Sequence, residues 1–217
     1  MSIINSPSKK IIKMKILIIG ASGTIGKAVE QLFKNKGYEV VAASRSTTPA
    51  VDITKAATID EFYHQSGDFD AIITTAGDAA FVSLDKISED QIQLTLQSKL
   101  MGQINMVRKG LNKLRSNGVF VITGGMLAYD PWPQTSMITM VNSGLEGFAK
   151  AAALDLTEGR RIVIVHPPWV AETAAALGMD ASPWPNAAKV AEAYVKAVSG
   201  NENGVAVFVD GYEPTKK

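Results

Sequence analysis

Three stretches of the 217-residue sequence carry residue types suited to holding a nucleotide. The first is Gly20-Ala-Ser22-Gly23-Thr24-Ile25-Gly26, directly after the apolar run Ile16–Ile19. Gly20 permits a tight turn, and Gly23 leaves no side chain between the backbone and a pyrophosphate. Gly26 lets the following helix pack closely on the strand. That helix points unpaired N–H groups and its positive dipole end at the loop, which makes an anion site. The second stretch is Ser44-Arg45-Ser46. At this strand end an acidic residue would favour the free 2′-hydroxyl of NAD, whereas Arg can clamp the 2′-phosphate of NADP. NADP (as NADPH) is therefore expected over NAD, with Asp52 and Ile53 placed toward the adenine. The third stretch, Thr75-Ala76-Gly77, follows another apolar run, and its small residues would let a ribose lie directly on the backbone.

The elements that must position these residues follow from periodicity. Ile16–Ile19 reads as a strand buried on both faces of a parallel sheet. Lys27–Lys36 reads as an amphipathic helix, Tyr38–Ser46 as a second strand, and Val51–Thr54 as a short third. A helix around Ile59–Gln65 leads to the strand Asp70–Thr74. From Ile87 to Arg115 a long helix is expected, its inner stripe being Ile92, Leu96, Leu100, Ile104, Val107 and Leu111. Gly118–Thr123 is a strand, and Pro131-Trp-Pro133 interrupts regular structure before a second long helix from about Thr135 to Leu156. Arg161–His166, a helix over Ala187–Ser199 and Val205–Val209 complete the pattern, and Ala171–Asn186 is a candidate cover over the strand ends. Strand–helix alternation with no internal repeat predicts an α/β fold, a single-domain, Rossmann-like, doubly wound parallel sheet flanked by helices over residues 14–217.

Composition narrows the function classes. A net charge of +1 with 20% charged residues gives no footprint for nucleic acid or an anionic membrane. Without Cys there is no thiolate or disulfide chemistry, and two isolated histidines, His64 and His166, do not suggest a zinc site. No apolar run reaches the roughly 20 residues of a membrane span. Residues 1–13 read as a mobile extension without the apolar core of a signal peptide, with Met14 an alternative initiator. A soluble cytoplasmic protein is the expectation.

From Met14 onward the chain resembles the short-chain dehydrogenase/reductase family. The resemblance rests on the glycine loop, Thr75-Ala76-Gly77, Leu145-Glu-Gly-Phe-Ala-Lys-Ala-Ala-Ala-Leu-Asp-Leu156 and His166-Pro167-Pro-Trp-Val170. The last replaces the family's Pro-Gly loop and implies that Pro167 and Val170 lie against a nicotinamide. The family's carbonyl chemistry uses a Tyr as proton donor, a Lys one helical turn on, a Ser at the substrate oxygen and an Asn in a water relay. Carried over through Leu145-Glu-Gly-Phe, these positions hold Ile138, Asn142, a residue near Gly125, and Lys99. No Tyr lies between Pro131 and Tyr194, and Tyr212-Glu-Pro-Thr-Lys216 contains a Pro that bars the helical pair. The chain resembles a bacterial subgroup of the family that lacks the usual active-site residues.

Two replacements are candidates: Tyr129, on the loop after the fifth strand, and Lys99 as a positive charge. Against them, Tyr129 reads as a loop anchor and Lys99 as a surface residue. Two functions are compatible with these residues. One is an NADP(H)-binding oxidoreductase with a non-standard site acting on a small molecule; the other is a non-catalytic, NADP(H)-responsive binding or regulatory protein. The resemblance also implies a homodimer or homotetramer, assembled through the two long helices.

Overall fold

Ile16, Leu17, Ile18 and Ile19 are 0–1% exposed, so the first strand is covered on both faces, as its uninterrupted β-branched and leucine run requires. The computed structural model describes residues 13–215, so all but the last residue of the expected N-terminal extension falls outside it. Six strands form one parallel sheet: β1 (Lys15–Ile19), β2 (Glu39–Ala43), β3 (Phe69–Thr74), β4 (Leu114–Thr123), β5 (Arg161–His166) and β6 (Ala206–Phe208), in the order β2-β1-β3-β4-β5-β6. This is the doubly wound, Rossmann-like arrangement. The chain leaves β1 for β2 on one side and returns to β3 on the other, which opens a crevice at the carboxyl ends of β1 and β3.

Alternate residues of each strand face opposite layers. Ile16, Ile18, Ile73, Val121 and Val163 meet α1 (Thr24–Asn35) and α7 (Ala187–Ser199), the helix after the short α6 (Ala171–Ala176), through Val29, Phe33, Val190 and Tyr194. Leu17, Ile19, Ile72, Phe120 and Ile164 meet the opposite layer through Phe62, Met106 and Leu145. That layer comprises α2 (Ala56–Gln65), α3 (Glu89–Thr95), α4 (Gln103–Gly110) and α5 (Ser136–Asp155). Among the described residues no helix is long and apolar enough to cross a membrane.

Two expected elements differ. Val51–Thr54 is not a strand: the Asp52 carboxylate accepts from the Thr54 N–H and hydroxyl at 3.1 and 2.7 Å, while the Thr58 hydroxyl donates to the Asp52 carbonyl at 2.6 Å. Short polar side chains here bind their own backbone in place of a neighbouring strand. The long helix after β3 starts later, at a reciprocal cap between Ser88 and Gln91, and α3 passes into α4 through a π-helical stretch, Leu96–Gly102. Of the expected stripe Val107 is buried, Leu96, Leu100 and Ile104 pack half-buried against the core and Leu111 is exposed, but the most deeply buried positions are largely others. Thr95, Ser98, Lys99, Gly102, Gln103, Met106, Val107 and Gly110 point inward.

Those inward polar groups hold the strand ends. Thr95 Oγ1 accepts from the Ala80 N–H and Ser98 Oγ from the Asp78 N–H, both at 2.9 Å, which pins the loop after β3. The Gln103 amide donates to the Thr123 carbonyl at 2.8 Å and the Lys99 carbonyl at 3.2 Å, and accepts from the Thr123 N–H at 2.7 Å. A fully buried side chain thus ties the π-helical turn to the end of β4. Gln103→Leu strands the buried N–H and C=O of Thr123, and should cost about 2–4 kcal/mol in denaturant-measured stability. Wild-type stability in that variant would show that the clamp carries no weight.

Candidate functional site

A groove of about 210 Å³ runs along the β1/β3 crevice, bordered by Gly20, Ser22, Gly23, Ser44, Arg45, Asp52, Ile53, Thr75, Ala76 and Gly77. At Gly77 it meets a second cavity of about 480 Å³, whose border includes Ile25, Pro167 and Val170. Thr24 opens α1 beside the groove, and Ser46 caps the turn after β2 by sharing its hydroxyl with Ser44 at 3.1 Å. The Arg45 guanidinium is exposed and makes no hydrogen bond or ion pair among the described residues. Asp52 is already engaged. Partial burial pushes its carboxyl up, but Thr54, Lys55 and Arg45 outweigh this and hold it below the usual range.

The three glycines of the first loop divide into two kinds. A Cβ on Gly20 would lie 2.7 Å from the Ala76 nitrogen, and one on Gly26 only 2.1 Å from the Gly20 carbonyl oxygen. The fold itself demands both. Gly23 has an ordinary φ of −78°, and its nearest obstacle to a Cβ is the Gly20 oxygen at 3.4 Å. Nothing in the protein requires glycine there, whereas a diphosphate lying on the backbone does. Gly23 is also the N-cap of α1, which has no side-chain cap and no acid in its first turn. The first-turn amides, lacking intrahelical partners, remain available to an anion. The groove therefore fits a dinucleotide.

The four positions singled out by the resemblance converge on the larger cavity: Lys99, Gly125, Ile138 and Asn142 all border it. Ile138 and Asn142 lie one turn apart on α5, and a Cβ on Gly125 would meet Asn142 Nδ2 at 2.8 Å. Asn142 Oδ1 is buried without a hydrogen-bond partner. Lys99 is not the surface residue its helix suggested. It is 6% exposed, and its stem lies so close to Gly77 that a Cβ there would meet Lys99 Cδ at 2.7 Å. Burial lowers the Lys99 ammonium pKa to about 8, with Asp78 opposing the shift.

Tyr129 does not border this cavity. Its hydroxyl donates to Glu146, and its ring packs against His166 and Phe208 with centroids 5.3 and 5.4 Å away. Burial and the Glu146 carboxylate both push its pKa up, so Tyr129 holds the loop and keeps its proton. His166 is fully buried behind the same loop and bonded to the Gly125 backbone; burial lowers its pKa against the pull of Gly125 and Glu146. Sequence reasoning missed the aromatic lining, Phe81, Trp132, Trp169 and Trp184, and it missed Tyr212 and Glu213, which border the cavity from the C-terminal segment. The Tyr212 motif has the helical spacing but a Pro that bars the helix, and spacing could not reveal a return of the chain to the cavity.

The model of the short chain dehydrogenase family matches residues 14–182. The chain belongs to that family. A protein from Listeria innocua, lin1944, is 38% identical, with 90% of this chain and 99% of that one covered and a TM-score of 0.84. A small-chain dehydrogenase solved in complex with NADPH is 23% identical at a TM-score of 0.82, with 92% and 98% covered, and shares the fold. Among curated relatives, a 3-ketodihydrosphingosine reductase of Bacteroides thetaiotaomicron is 24% identical over 158 residues, 65% of this chain but only 58% of the relative's length. Carbonyl reductase family member 4 of Xenopus tropicalis is 24% identical over 183 residues, covering 75% of this chain and 78% of that protein.

Lys99 gives this short-chain dehydrogenase a stability signature. Its folded pKa, about 8, lies below the ordinary 10.5, so the unfolded chain binds more protons between those values. Native stability should therefore rise with pH across that window. Lys99→Met should gain up to about 3 kcal/mol near neutral pH, an advantage that fades as pH climbs from 8 toward 10.5. A pH-independent difference in chemical denaturation would contradict a buried ammonium.

Proposed function

We propose that the chain is an NADP(H)-dependent oxidoreductase of small molecules whose proton-handling group is not the family's tyrosine. Gly23 carries this reading, as a glycine that the fold leaves unexplained at an uncapped helix N-terminus. The amides of the first turn of α1 would face the diphosphate, with Thr75, Ala76 and Gly77 beneath a ribose and Ser44, Arg45 and Ser46 around the 2′-phosphate. Pro167 and Val170 would border the reacting ring, which supplies the hydride chemistry when bound. The similar structures support a nicotinamide dinucleotide, because one of them is an NADPH complex. The exposed, unpaired guanidinium of Arg45 favours NADPH over NADH.

Ile138 has no proton to give, and Gly125 has no hydroxyl to anchor a substrate oxygen. Lys99 borders the cavity with an ammonium pKa near neutrality, so it can hold a proton at Nζ and release it to an oxygen gaining negative charge. A homodimer or homotetramer belongs to the same reading. Met101 and Met140, on the helices after β3 and β4, are 44% and 45% exposed and suit a second copy.

Calorimetric titration with NADPH and NADH tests the assignment. Wild-type protein should bind NADPH more tightly. Arg45→Ala should weaken NADPH at least about ten-fold while changing NADH little, because a charge-assisted contact is lost only from the phosphorylated ligand. Gly23→Val should abolish binding of both while the protein stays folded, with a melting temperature lowered by only a few degrees for the poorer N-cap. Failure of the wild type to bind either dinucleotide would overturn the proposal. Binding without turnover of any carbonyl, imine or activated alkene would leave the non-catalytic, NADP(H)-responsive alternative.

A further inference from the structure

All three tryptophans of the sequence stand on one side of the larger cavity, together with Phe81. They arrive from separate places: Phe81 from the loop after β3, Trp132 from that after β4, Trp169 from that after β5, and Trp184 from the covering segment. Their rings form a chain of contacts. Phe81 and Trp169 have centroids 5.5 Å apart, Trp132 and Trp184 5.7 Å, and Trp132 and Trp169 lie 6.1 Å apart and within 19° of parallel. Phe81 remains 48% exposed. Core formation does not account for the wall, because Trp132 alone of the four is packed against the adjoining cluster of Leu127, Ile138 and Val141.

The polar groups around this wall restrict what can lie on it. The Trp169 indole N–H is buried without an acceptor, an arrangement that costs free energy until an acceptor is supplied. Lys99 sits among the buried lining residues, while Asp130 and Glu213 stand at the exposed border. The acidic border disfavours an anion on its way in, and the buried ammonium disfavours a cation once inside. A neutral ligand with an acceptor oxygen meets neither penalty.

We propose that this wall is a subsite for a flat, conjugated, uncharged small molecule bearing a carbonyl oxygen, with its π-face on Trp132 and Trp169 and its oxygen accepting from the ammonium of Lys99 or, once the ring turns to uncover it, from the indole N–H of Trp169. Aromatic faces select π-surfaces over saturated rings of equal bulk through offset stacking. The assignment names the substrate class of the oxidoreductase proposed above and rests on that reading for the position of the reacting ring. Recognition of the ligand depends on the chain's own residues alone.

Methyl naphthyl ketone, its saturated decalyl counterpart and naphthalene serve as probes in calorimetry without cofactor. Wild-type protein should bind the naphthyl ketone about ten-fold more tightly than the decalyl ketone. Trp132→Leu should erase that preference, and Phe81→Ala, at an exposed position, should reduce it without a folding penalty. Trp169→Phe keeps a ring but removes the N–H. It should weaken the naphthyl ketone about five-fold while leaving naphthalene unchanged. Equal affinity for flat and saturated ketones, unaltered binding in all three variants, or tighter binding of a naphthyl trimethylammonium ion would overturn the subsite. NADPH titration of the same proteins separates the two ideas. Retained NADPH binding with no ketone preference refutes the subsite alone, whereas ketone preference without NADPH binding refutes the cofactor reading alone.

Discussion

Everything at the carboxyl ends of the strands depends on how closely the first helix approaches the first strand. Gly26 comes so near the Gly20 carbonyl that even a methyl group would overlap it. This contact fixes the start of α1 against the end of β1 and turns its unpaired amides into the crevice between β1 and β3. Neighbouring Gly20 needs its own lack of a side chain because the loop after β3 lies directly against it. One steric constraint therefore joins the first helix, the first strand and the third-strand loop into a single wall, and the groove is the space they leave.

The larger cavity obeys a second constraint, the hydrogen bonding of strand ends. Thr123 is held by Gln103 from one layer and by Tyr194 from the other, with its hydroxyl 2.8 Å from the tyrosine oxygen. It also donates to the Thr74 carbonyl at 2.7 Å, so adjacent strands end at one fixed level. Above that level the lining is polar in only a few places, and those places are under tension. Lys99 is deprived of water, and Asn142 and Trp169 each hide an unmatched polar atom. Rigid support below and unsatisfied groups above are the usual condition of a surface prepared for a ligand.

The architecture was readable because four strands are uninterrupted apolar runs, and such runs have few alternatives in a chain of alternating helices. Val51-Asp52-Ile53-Thr54 shows where that logic fails. Its alternation imitates a strand, yet Asp52 and Thr58 bond to local backbone and the Thr54 hydroxyl to the Asp52 carboxylate. Periodicity could not decide between a surface Lys99 and one at the site for a related reason: an amphipathic stripe assigns faces by apolar residues, while the inner face of this helix is also used for hydrogen bonding to loops. The groove between β1 and β3 could be traced because its residues come in short contiguous motifs. The tryptophan wall could not, because each ring belongs to a different loop and only closure of the sheet brings them together.

The π-helical stretch, Leu96–Gly102, has a bearing on how this cavity can change over time. A π-turn holds one residue more than regular α-helix, and each residue turns the helix by about 100°. Thr95 and Ser98 on one side and Gln103 on the other must both face the strand ends, a phasing that the wider turn reconciles. Loss of a single residue there would restore a smoother helix and swing one set of anchors away from its loop. Substitutions can therefore retune Lys99 and its neighbours one at a time, whereas a change of length in this segment would move several anchors at once.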